Sequence, residues 1–176
     1  MRKAETTAEK LRLLNALIAS VIAVFFLVHS TLGTATFMVE GLSNSVPWLV
    51  WLMLGIVGVH VIASVGATAL MLADTVRPPS SRKKRHFVLK WATGALLALA
   101  ISAHLYCTLR PDDPMLSPLL AHLPFLLTLA ALAWHVGIAT KSLARDLGIS
   151  KKTRDILRAS YVTALAILMI LALFTF

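Results

Sequence analysis

Five apolar runs, each long enough to cross a bilayer, leave this chain few ways to fold. They cover Leu13 to Met38, Pro47 to Leu72, Phe87 to Leu109, Pro118 to Thr140 and Ile156 to Phe176. A hydrocarbon core is about 30 Å thick and a helix rises about 1.5 Å per residue, so each run spans it. Lipid offers no partner to bare N–H and C=O groups, and separate runs of this length can satisfy them only within a helix. The expected fold class is therefore an all-α membrane protein of five transmembrane helices, forming a single transmembrane domain over residues 1–176. Hydrophobic residues make up 58% of the chain and charged residues 14%, and the short segments left between runs have no room for a soluble catalytic or nucleotide-binding domain. The first run is too long for the apolar region of a cleavable signal peptide.

Basic residues predict the orientation. Arg2, Lys3, Lys10 and Arg12 precede the first run, Arg77 and Arg82 to Arg85 follow the second, and Lys141, Arg145, Lys151, Lys152, Arg154 and Arg158 follow the fourth. The alternate loops hold Arg110 with Glu40, Asp112 and Asp113. The positive-inside rule then sets the N-terminus in the cytoplasm and the C-terminus outside, as expected for a multi-pass protein of the cell inner membrane. The formal charge of +9 is explained by topology and contact with the lipid bilayer, without nucleic acid. The stretch Arg77-Pro78-Pro79-Ser80-Ser81 is expected to stop helix two, Gly148 to close an extension of helix four, and Ser150 or Thr153 to cap helix five. Helix five carries no histidine and is expected on the outside of the other four.

His29, His60, His104 and His135 each lie in a different run without a charged neighbour. An imidazole in hydrocarbon is costly unless it has a partner, so intramembrane histidines point to a shared task in the bundle interior. Counted from the outer helix ends, His104 lies about 9 Å deep, His29 about 18 Å, His60 about 20 Å and His135 about 26 Å. This order suggests an outer pair, His29 with His104, and an inner pair, His60 with His135. Small residues share each histidine's face: Gly33 near His29, Ala63 and Ser64 near His60, Ala100 and Thr108 near His104, Ala131 and Ala139 near His135. A flat macrocycle between helices needs such clearance, and two imidazoles from opposite helices complete six-coordinate iron. His122 is the rival for the outer pair, while His86 beside the basic run reads as solvated. Asn15 and Lys90 each precede a histidine, His29 and His104, by 14 residues, four helical turns, and are candidates to meet haem propionates.

Helices one to four are thus expected to form a haem-binding bundle, and the haem to be non-covalent, since the chain has no Cys-x-x-Cys-His sequence and a single cysteine, Cys107. One histidine in each of helices one to four, none in helix five and a cytoplasmic N-terminus resemble the dihaem cytochrome b membrane-anchor subunit of the succinate dehydrogenase and fumarate reductase family. That resemblance implies axial pairs His29/His104 and His60/His135 on two haems b. It also implies flavoprotein and iron-sulfur subunits on the cytoplasmic face, a quinone such as menaquinone as membrane substrate, and room for a higher oligomer of the complex. The chain itself would be a non-catalytic electron-transfer subunit. Glu40, at the outer end of helix one, is the candidate for proton transfer at a quinone. The alternatives are the cytochrome b of a hydrogenase, formate dehydrogenase or heterodisulfide reductase, and a transporter with a histidine relay.

Overall fold

The computed structural model describes residues 7–38, 47–73, 80–110 and 118–174. They form α1 (Thr7–Met38), α2 (Pro47–Leu72), α3 (Ser81–Leu109), α4 (Pro118–Asp146) and α5 (Lys151–Leu173), with no strand among the described residues. All five are long and apolar enough to cross a membrane, so the chain has the architecture of a multi-pass membrane protein. Hydroxyl side chains inside the helices are satisfied locally: Ser20, Thr34, Ser102, Thr128 and Thr140 each donate to the carbonyl one turn back.

α2 has the limits expected from hydropathy, but the other helices run further at their charged ends. α1 starts at Thr7, α3 at Ser81 and α5 at Lys151, while α4 continues to Asp146. The apolar run marks only the stretch suited to hydrocarbon. The helix continues through Arg82 to Arg85 because lysine and arginine are good helix formers in water. Caps set the real ends. Ser80 accepts from the Lys83 amide, and Ser150, rather than Thr153, accepts from the Thr153 amide at the start of α5. Gly148, at φ 73°, ends α4 with Ile149 N–H bonded to Ala144 O at 2.8 Å and Gly148 N–H to Arg145 O at 3.0 Å, the paired pattern of a Schellman motif.

Packing follows chain order except between α2 and α3. α1 lies on α2 and α3 on α4, and the two pairs are joined through α1–α4 and α1–α5 contacts. No comparable interface links α2 to α3 or α1 to α3 among the described residues. α5 is more central than expected. It packs along α4 as well as α1, Leu165 is fully buried, and Leu168 and Ala172 share a core with Leu129, Leu132 and Phe125 of α4. Its alanine and leucine stripe lets the backbones approach, which is the main source of helix association in lipid. Tyr161 also reaches across to donate to Ala23 O of α1 at 2.7 Å. Tyr161→Phe is expected to cost about 0.6–1.7 kcal/mol, the range of an interhelical hydrogen bond in a membrane, read as a lower thermal midpoint in detergent.

Interhelical contacts gather the charged ends at one end of the bundle. Arg12 of α1 pairs with Asp146 of α4, Lys141 of α4 lies 3.7 Å from Asp155 of α5, and Leu11 of α1 packs over Gly66 of α2. The starts of α1 and α5 and the ends of α2 and α4 therefore meet at this basic end.

Candidate haem-binding interior

The side of the bundle where α1 and α2 face α3 and α4 contains a cleft rather than a packed seam. Away from the basic end it holds a cavity of about 100 Å³, partly open to the outside and smaller than the range of about 300–1,000 Å³ for small-molecule and cofactor sites. All four helices line it. His29 comes from α1, His104 from α3, Met53 and Val57 from α2, and Phe125 and Leu129 from α4. The walls are almost wholly apolar; Ser30, Thr108 and Thr128 are the other polar residues present. His29 stacks on Phe25 with ring centroids 5.7 Å apart and 6° between planes, and the His104 ring lies 5.7 Å from that of Phe125. Gly33 of α1 faces the same Phe125 ring, where a Cβ would stand 3.4 Å from Cε2.

The two outer histidines expected to pair thus meet at one cavity. His122, their rival, lies on the same helix as Phe125 but does not line it.

His60 and His135 form a second group with Lys90, the three lying within electrostatic reach of one another. Gly94, which faces the His135 ring, precedes His104 on α3 by ten residues, or about 15 Å. The histidines therefore occupy two levels along the bundle. The His135 ring rests on α3 at Gly94: a Cβ at 94 would lie in ordinary contact, 3.4 Å from its Cε1 and 3.7 Å from its Nδ1. Thr93, 2% exposed, has its Oγ1 3.1 Å from His135 Nδ1. His60 differs, because its Nδ1 is buried and has no hydrogen-bond partner among the described residues. Such a group costs about 1–3 kcal/mol unless something outside the chain satisfies it.

Asn15 and Lys90 stand toward the basic end from this inner group. Ser64, one turn beyond His60, donates to Asn15 Oδ1 at 3.2 Å, and Lys90 Nζ donates to Ser142 Oγ at 3.1 Å. Asn15 joins α1 to α2 and Lys90 joins α3 to α4, so the two flank the cleft from opposite pairs of helices. His86 is half-buried in the second turn of α3, beside the basic run. Glu40 lies outside the described residues.

Thr93, Gly94, Ser142 and Phe125 did not emerge from the sequence. Thr93 had a usable signal: it precedes His104 by 11 residues, three turns, and so shares that helix face. Among the described residues no three His, Cys, Asp or Glu side chains cluster as a bare metal ion would require. Two imidazoles per level suit a different need, that of a porphyrin iron whose four equatorial nitrogens come from the macrocycle. On that test the residues suit the group: two histidines at each level and apolar walls at the outer one, with Lys90 and Asn15 toward the basic end.

No protein-family model, curated protein or solved structure matches this chain.

Proposed function

We propose that the chain is a cytochrome b membrane anchor that carries electrons between a quinone and an iron-sulfur and flavoprotein dehydrogenase bound at the basic, cytoplasmic face. The observation that supports this most is that His29 and His104, from helices with no extensive interface among the described residues, line one apolar cavity. At the other level the buried His60 Nδ1 has no hydrogen-bond partner among the described residues, which leaves that ring unfixed by the rest of the helices. His29 with His104 and His60 with His135 would hold two haems b. Asn15 and Lys90 would receive propionates of the inner one. Bound haem supplies reversible one-electron chemistry at iron; the chain supplies imidazoles, excludes water with its apolar walls, and sets orientation. The basic end is the face at which charge complementarity would seat an acidic partner, and succinate:quinone or quinol:fumarate chemistry is the reaction class proposed for the assembled complex.

A histidine relay is a weaker reading because a relay needs polar continuity between levels. Here Met53, Val57, Phe125 and Leu129 wall the outer pair.

The test is the spectrum of the purified membrane complex before and after dithionite. Reduction should bring up b-type bands with about two non-covalent haems per chain, and a colourless preparation from haem-replete cells would reject the proposal.

A further inference from the structure

The inner histidines are not equivalent, and the difference lies in one hydroxyl. Thr93 Oγ1 stands 3.0 Å from Leu89 O and 3.1 Å from Lys90 O, the carbonyls one turn back along α3, as well as 3.1 Å from His135 Nδ1. A threonine hydroxyl has one proton and two lone pairs. Were that proton directed at His135, Oγ1 would face two carbonyl oxygens at hydrogen-bond distance with no hydrogen between, a repulsive arrangement in a site only 2% exposed. Directed at the carbonyls, it satisfies the usual bonding of threonine within a helix and leaves a lone pair facing the ring. The ring nitrogen must then be the donor.

We propose that Thr93 is a positioning residue which holds His135 as the Nδ1–H tautomer and so reserves its Nε2 lone pair for a ligand, whereas His60 has no such fixed partner. The Nδ1–Cε1 edge of the same ring lies against α3 at Gly94. The tautomer is a property of the chain alone; only its use toward iron rests on the function proposed above. A donor bond at Nδ1 raises the basicity of Nε2 and fixes the ring plane, the usual effect of a second partner on a ligating histidine.

The experiment uses the full chain in lipid bilayers, with ¹⁵N-labelled histidine, under dithionite and at mildly alkaline pH, well above the ordinary imidazole value of about 6.5. His135→Gln identifies the signals. The wild type and Thr93→Ser should show a protonated Nδ1 at His135 that exchanges slowly with D₂O. Thr93→Val, which keeps the shape but removes the acceptor, should lose that slow exchange. An Nε2-protonated His135 in the wild type, or unchanged slow exchange in the valine variant, overturns the proposal. If the valine variant does not fold, the wild-type and serine spectra still decide the tautomer.

A chain that proves haem-free yet shows the Nδ1 proton would retain this inference and lose the cytochrome reading. In a haem-loaded chain Thr93→Val should raise the midpoint potential of one haem and leave the other in place, and equal potentials before and after would count against the role.

Discussion

Alanine at His29 or His104 is expected to remove one haem from each chain, and alanine at His60 or His135 the other. In each case total haem should fall by about half, as measured by the pyridine haemochrome assay, because a bis-imidazole site holds its iron with two side chains and losing one exposes the metal to exchange. The pairing also predicts how double variants behave. His29→Ala with His104→Ala should lose no more haem than either alone, since both act on one centre. His29→Ala with His60→Ala should lose nearly all of it, since they act on two. Residues in one functional unit are non-additive and residues in separate units add, so the doubles report the partnership directly. A His122→Ala variant that loses as much haem as His104→Ala would move the outer pair to another helix. Alanine singles that all keep full haem would end the assignment.

Helix existence and the two histidine levels were legible because both depend on one-dimensional quantities. Run length fixes what can span, and a constant rise per residue turns sequence offset into depth. Gly148 and Ser150 were legible for a local reason, that a left-handed residue and a side-chain acceptor end and start helices wherever they occur. The extension of α4 to Asp146 was legible through Gly148, whereas that of α3 through Arg82 to Arg85 was hidden, since hydropathy falls where the helix leaves hydrocarbon and not where it ends. The choice of packing partners was hidden too. The spans are apolar on most faces, so periodicity barely states which side of α4 meets α3, α5 or α1. That rotation is set by small residues and by isolated bonds such as Tyr161 to Ala23 O. Lys90 shows both sides of this. Its place toward the basic end followed from counting turns, but its bond to Ser142 depends on the α3–α4 contact.

Gly94 offers the sharpest test of that contact, because its effect should fall on one level and spare the other. A Cβ at 94 would stand 3.4 Å from His135 Cε1, an ordinary van der Waals distance, so Gly94→Ala should be tolerated and should gain helix propensity of up to about 1 kcal/mol. Gly94→Leu adds three further carbons where the ring now lies. Either α3 and α4 separate or the imidazole turns away, and with Thr93 adjacent both outcomes break the 3.1 Å contact at Nδ1. His104 lies ten residues along α3, about 15 Å away, where its ring is beside Phe125 rather than Gly94. The expected result is a chain with about half the haem, in which the remaining haem keeps the spectrum and midpoint potential of the outer centre. Loss of both haems in proportion would indicate a fold that failed as a whole. Full haem content with a bulky side chain at 94 would mean that His135 does not hold iron from this position on α4.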